Sequence, residues 1–236
     1  MLFDFDVELR AKAQEILKRE LAAYGEFSLE QHRDRDIFPR LIKTMLSHRT
    51  THADERAAYN NMWNHYGDWD KIRTADPAEL TQLLAPSRYP EAKARNIQKT
   101  LTVIYEEHGA YTIDFLHEWP TQNALEWLLA LPGVGLKTAT LLLLFYFRRP
   151  VMPVDTHVHR VSKRTGLIDS KTSAEKAHRR LLELLPADPH TLYNFHRATL
   201  THGQRYCHYY NPKCAACPLQ NLCDAYAGKN DAIAHT

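Results

Sequence analysis

Apolar side chains recur along this chain at intervals of three and four residues, and strand-like alternation is hard to find. Leu9, Ala13, Ile16 and Leu17 form a first stripe, and Phe38, Leu41, Ile42, Met45 and Leu46 form a second. Helix starts are legible in the polar positions between stripes. Asp76, Pro77 and Glu79 suit N-cap, N1 and N3 of a helix predicted to run to about Leu84, with the Asp76 carboxylate accepting from backbone amides that lack a partner. Thr172 with Glu175 predicts a capping box before the helix that carries Leu181, Leu182 and Leu185. The twelve prolines mostly mark breaks, as at Pro90, Pro120, Pro150 and Pro186. The pattern predicts an all-α fold with no sheet of consequence.

One interruption carries chemistry. Leu131, Pro132, Gly133, Val134 and Gly135 separate a helix bearing Leu125, Leu128 and Leu129 from one bearing Ala139 and Leu141 to Leu144. Two glycines one residue apart permit positive φ and close backbone approach, so the amides of Gly133, Val134 and Gly135 can converge on a phosphate. An ordinary helix-turn-helix corner explains the pair equally well. Lys137 adds to it, because in the first turn of the second helix the partial positive charge of the helix end disfavours an ammonium and predicts a neutral, nucleophilic amine. Downstream, Asp155 is the one acidic residue between Val154 and Arg160. Its carboxylate is expected to cap the next helix through the amides of His157 or Val158. A functional role would add proton acceptance or stabilisation of a cationic transition state. His157 suits either a phosphate or sugar contact or a packed position donating to a backbone carbonyl.

All four cysteines fall in one stretch, Cys207, Cys214, Cys217 and Cys223, spaced C-x6-C-x2-C-x5-C. Free thiols so gathered in a polar segment have no packing purpose and would oxidise, so they are expected to ligate. Disulfides fit poorly in 236 residues with 44% apolar content and no amino-terminal apolar run behind basic residues, and the chain is expected to be cytoplasmic. Only Cys214 and Cys217 make a close knuckle. That spread favours an iron-sulfur cluster and leaves zinc open. Net charge is only +2, but residues 137 to 180 carry ten basic against three acidic side chains, and residues 1 to 36 carry nine acidic against six basic. Such asymmetry suits a face turned to a polyanion, and equally a solvated helix surface. No apolar run is long enough to span a bilayer, since Ala139 to Phe147 closes on Arg148 and Arg149.

The run Leu131-Pro132-Gly133-Val134-Gly135-Leu136-Lys137-Thr138-Ala139, then Val154-Asp155-Thr156-His157, then the four cysteines, resembles the endonuclease III family of DNA glycosylases, within the helix-hairpin-helix superfamily. The likeness runs from about Phe38 to Cys223, with the three motifs in the family's order. The resemblance implies two helical domains flanking a DNA-binding cleft: a six-helix barrel with the hairpin at about 30–149, and an iron-sulfur domain from 1–29 with 150–228, followed by a polar tail at 229–236. It implies a 4Fe-4S cluster on Cys207, Cys214, Cys217 and Cys223, structural in role, fixing a loop whose Arg205 and Lys213 meet the phosphate backbone. It implies a bifunctional glycosylase and abasic-site lyase, acting as a monomer on double-stranded DNA with damaged bases or abasic sites. Lys137 would attack C1′ of a flipped nucleotide to form a Schiff base, with Asp155 assisting.

Two departures bear on substrate. Arg49 stands where the family usually has a glutamine that helps fill the gap left by the flipped nucleotide, and Tyr89 stands where it usually has an apolar wedge. Tyr89 is suited to stack between bases, or to lie half-buried on the surface; Arg49 to reach an opposite-strand base or a phosphate, or simply to be solvated. Oxidised pyrimidines are the implied substrate. A lyase restricted to abasic sites or pyrimidine dimers, and a non-catalytic helix-hairpin-helix DNA-binding protein, are the alternatives.

Overall fold

The computed structural model describes residues 2–32 and 36–228, so the tail at 229–236 lies outside the described residues. Every regular element among them is helical. In chain order these are α1 (Leu2–Tyr24), α2 (Phe38–Leu46), α3 (His52–Tyr66), α4 (Trp69–Thr74), α5 (Pro77–Leu83), α6 (Pro90–His108), α7 (Thr121–Ala130), α8 (Leu136–Phe145), α9 (Thr156–Arg164), α10 (Ala174–Leu184) and α11 (Pro189–Arg205), with short 3-10 turns between some of them. The chain divides into two compact units, Asp34–Phe147 and Met1–Arg33 with Arg148–Thr236. No helix is long and apolar enough to cross a membrane among the described residues.

In the first unit α8 reads Leu-Lys-Thr-Ala-Thr-Leu-Leu-Leu-Leu-Phe, apolar on nearly every side, and such a helix must be surrounded. Ala139, Leu142, Leu143 and Leu144 are buried, with α2 and α7 packed against the helix. The second predicted stripe becomes the inner face of α2, where Phe38, Leu41, Ile42, Met45 and Leu46 are all buried. Asp76 caps α5 as predicted, its carboxylate accepting from the Ala78 and Glu79 amides at 2.9 and 3.0 Å, with Pro77 in the first turn.

In the second unit α11 packs on α1 and α9, and α10 on the same two helices. The first stripe buries Leu9, Ala13 and Ile16, with Leu17 at its edge. Glu20 follows on the same face. Burial pushes its carboxyl up to about 8, against the pull of Thr199, whose hydroxyl donates to Oε2 at 2.8 Å, so Glu20 is held mainly as a neutral acid at pH 7. The cap predicted at Thr172 lies one residue on. Ser173 is the N-cap of α10, accepting from the Lys176 amide at 3.3 Å, because Thr172 is held back by its own amide bond to Asp169 O at 3.0 Å.

Candidate functional site

The hairpin is built by a turn and a helix start. The Val134 amide donates to Leu131 O at 3.1 Å, closing a turn with Pro132 at its second position and Gly133 at its third. Gly133 has φ +80°, as a type II turn demands there. A Cβ on Gly133 would lie 2.7 Å from Asn96 Nδ2 and 2.9 Å from Asn96 Cβ, so α6 approaches as closely as a glycine allows. Thr100 of α6 fixes the turn from below, donating to Pro132 O at 3.0 Å. Gly135 is different: it is the N-cap of α8 at φ −96°, ψ 173°, with open space where a Cβ would be. Positive φ and close approach, expected of both glycines, therefore belong to Gly133 alone. Gly135 leaves the first amides of α8, which have no partner within the helix, without a side-chain cap. Such a helix start favours an anion.

Gly133→Ala is expected to destabilise the protein by about 1–3 kcal/mol, from left-handed strain on an alanine alone, and by more where Asn96 cannot move aside. Gly135→Ala, which meets open space at negative φ and loses only a favoured N-cap residue, should cost less, about 0.5–1 kcal/mol. Urea denaturation of both variants checks this, and equal midpoints for the two would contradict the turn geometry.

Lys137 lies in the first turn of α8 and is half-buried. Its charge is felt at His48, in the segment joining α2 to α3, and at Glu55, in the first turn of α3. Burial pushes His48 down, helped by Arg49, Lys93 and Lys137, and burial raises Glu55 although His52, Lys43 and Lys137 oppose it. Arg49 and Tyr89 meet in the same unit, Arg49 Nη1 donating to the Tyr89 hydroxyl at 3.2 Å, and both are exposed. Each stands at positive φ, +52° for Arg49 and +58° for Tyr89, a conformation costing non-glycine residues about 1–3 kcal/mol apiece. Tyr89 is moreover the residue before Pro90 and the N-cap of α6.

Asp155 caps α9 as predicted: Oδ1 accepts from the His157 and Val158 amides, both at 2.8 Å. His157 is packed, its Nδ1 3.0 Å from Arg160 Nη2 and its Cβ only 2.8 Å from where a side chain on Gly203 would begin. Gly203 thus lets α11 approach α9.

The cysteine loop is held by side chains that sequence reasoning passed over. Arg160 Nε donates to Cys207 O at 2.8 Å, and the buried Arg164 donates to His208 O at 2.6 Å, Tyr209 O at 3.0 Å and Cys207 Sγ at 3.3 Å. Both arginines belong to the basic stretch 137 to 180, so part of that charge faces inward. Burial pushes His202 down to about 4, with Arg160 adding to the effect, and burial keeps the Tyr24 hydroxyl protonated. A neutral imidazole 2.8 Å from the Tyr24 hydroxyl accepts at Nδ1, which leaves Nε2–H facing Cys217 Sγ at 3.5 Å. Arg205 sits in the last turn of α11 over the Tyr24 ring, and Lys213 is exposed beside Cys214.

All four cysteines are free and half-buried, and they line a single cavity with Val161, Tyr206 and Leu219. Burial pushes the Cys217 thiol up to about 11 and raises Cys223, so as bare groups these sulfurs would not ionise. Yet two N–H donors, from Arg164 and His202, face sulfurs, an arrangement that suits thiolates bound to metal. Among the described residues no three His, Cys, Asp or Glu are gathered closely enough for one ion. Four cysteine sulfurs around one space are a donor set that suits a thiolate-held metal centre.

The profile of the HhH-GPD superfamily of base excision DNA repair proteins matches residues 42–187. Endonuclease III of Thermotoga maritima is 34% identical over 195 residues, covering 83% of this chain and 86% of the relative. Among solved structures, a non-covalent endonuclease III–DNA complex superposes with a TM-score of 0.78 at 26% identity, covering 93% of this chain and 97% of that one. A trapped covalent endonuclease III–DNA intermediate, an estranged-adenine complex, gives 0.76 at 27% identity over 95% and 98%.

Proposed function

The chain belongs to the HhH-GPD superfamily of base excision DNA repair proteins, within its endonuclease III family, and from that premise we propose how its residues perform the work. It is a DNA glycosylase and abasic-site lyase. In our reading the nucleophile is Lys137, and the observation that carries it is the position of this lysine in the first turn of α8, directly after the Gly133–Gly135 hairpin. The Gly133 and Gly135 amides and the open start of α8 hold a phosphate of the damaged strand, while the Val134 amide, taken by Leu131 O, closes the turn instead. The target nucleotide leaves the stack. The Lys137 amine then attacks C1′ as the C1′–N bond breaks, the bonding pair leaving with the base and the lysine losing a proton. Ring opening gives a protonated Schiff base, loss of a proton from C2′ expels the 3′ phosphate, and water releases the lysine. Asp155 accepts a proton or stabilises positive charge on the sugar.

Cys207, Cys214, Cys217 and Cys223 would hold a 4Fe-4S cluster, supported by the four sulfurs around one cavity and the donors that face them. When bound, the cluster would bridge the four cysteine thiolates and so fix the loop from Cys207 to Cys223. Arg205 and Lys213 would then meet phosphates. Oxidised pyrimidines in duplex DNA are the proposed substrate, with the protein acting as a monomer in the cytoplasm; Arg49 and Tyr89 act as the strand-opening pair, and the packed His157 is assigned a DNA-backbone contact from the family resemblance alone.

Duplexes each carrying one defined lesion test the substrate class. Strand nicking is expected at oxidised pyrimidines such as thymine glycol and at abasic sites. Nicking at abasic sites alone would narrow the enzyme to a lyase. The purified protein should be brown, with broad visible absorption and bound iron. A colourless protein carrying zinc would overturn the cluster.

A further inference from the structure

Arg49 and Tyr89 are exposed and strained, and what holds them there is buried. Lys93, in the first turns of α6, is 7% exposed, and its Nζ donates to Leu46 O at 2.6 Å, His48 O at 3.2 Å and Thr50 Oγ1 at 2.7 Å. The Thr50 hydroxyl donates in turn to His48 O at 3.1 Å and accepts from the Arg88 amide at 3.1 Å. The Lys93 amide donates to Tyr89 O at 3.1 Å. Both neighbours of Arg49 are thus bonded to one ammonium, and the residue before Tyr89 is bonded to the hydroxyl that this ammonium holds. An ammonium leaves water only where acceptors replace its hydration. Here every one of those acceptors lies on the end of α2 or on the loop that carries Arg49. The carbonyls at the end of α2 are also where a helix dipole favours a cation.

From this geometry we infer that Lys93, through Thr50, is a positioning clamp that preforms the Arg49–Tyr89 pair before DNA arrives. The inference rests on the reading of that pair as the strand opener. A loop ordered in advance loses no binding energy to ordering on the duplex, so the clamp acts on opening and leaves the chemistry at the sugar untouched. Burial pushes the Lys93 amine down to about 8, so at pH 7 the clamp remains mainly an ammonium.

The test compares two substrates. On a duplex with a lesion paired opposite 2-aminopurine, Lys93→Met and Thr50→Val should each slow the fluorescence rise that reports opening, on the order of 100-fold, as a displacement of about 1 Å does. On a single-stranded abasic oligonucleotide, which needs no opening, both variants should form the borohydride-trapped adduct at the wild-type rate. Thr50→Ser, which restores the hydroxyl, should restore duplex opening. Equal losses on both substrates would overturn the clamp, and so would unchanged opening. Should Lys93→Met fail to fold, Thr50→Val carries the test, because it leaves the ammonium its two carbonyls. An Arg49→Ala, Tyr89→Ala double variant measured alongside separates the two claims. If it opens duplex as wild type does, the strand-opener reading falls and the clamp with it; if it is crippled while Lys93→Met and Thr50→Val open normally, only the clamp falls.

Discussion

Lys137→Gln is expected to bind an abasic-site duplex as tightly as the wild type and to form no borohydride-stable adduct with it. The substitution keeps a polar side chain of similar length at a helix position where glutamine and lysine have nearly equal propensity, so α8 and the hairpin before it should stand. What it removes is the lone pair that, in the proposed mechanism, bonds to C1′. Loss of a covalent nucleophile elsewhere lowers turnover on the order of 10⁶-fold, and strand nicking should fall comparably. Lys137→Arg sharpens the result: it restores a cation at the same place without a usable amine, so it too should bind and fail to trap. Gel-shift affinity and adduct yield on the same duplex are the two measurements. An adduct that survives Lys137→Gln would assign the chemistry to another amine, and wild-type protein that binds without ever trapping would favour the non-catalytic DNA-binding alternative.

The helices were legible because their signals are local. Asp76 with Pro77, and Asp155 before His157, announce their caps in neighbouring residues, and both carboxylates accept the amides predicted for them. Thr172 shows the limit of such signals. Thr172 and Ser173 are both competent caps, and the choice is made by the Asp169 turn, which takes the Thr172 amide. The two hairpin glycines look alike in sequence, and only the approach of Asn96 from α6 distinguishes them. Partners distant in sequence hide a side chain's role altogether. Arg160 and Arg164 read as surface charge until the carbonyls of residues 203 to 209 are folded against them. Lys93 reads as one more helix-surface lysine, and nothing near it in sequence announces that its acceptors lie 43 to 47 residues away.

The positive φ of Arg49 and Tyr89 was equally out of reach, since neither residue type favours it. Sequence likeness marked both positions as departures from the family's usual glutamine and apolar wedge. The geometry adds that the two are linked to each other, guanidinium to hydroxyl. A change at one should therefore be felt through the other, so their contributions to opening should be non-additive.

Asp155→Asn is expected to lower single-turnover excision about 10²- to 10⁴-fold, the range associated with a positioned proton acceptor, while leaving thermal stability as it was. The two carboxylate oxygens of Asp155 differ in their partners. Oδ1 is committed to α9, accepting from the His157 and Val158 amides, and Oδ2 makes no hydrogen bond among the described residues. Asparagine caps a helix about as well as aspartate, so its one oxygen can keep both amide bonds. Its amide nitrogen then replaces Oδ2, with neither the charge nor the basicity that the proposed step at the sugar requires. Asp155→Ala loses the cap as well, and should add a stability cost of about 1 kcal/mol to the same kinetic defect. The pair of variants thus separates fold from chemistry at a single residue, with excision rate and melting temperature as the readouts. An Asn variant that excises at the wild-type rate would reduce Asp155 to a cap, and the chemistry assigned to its carboxylate would have to come from elsewhere.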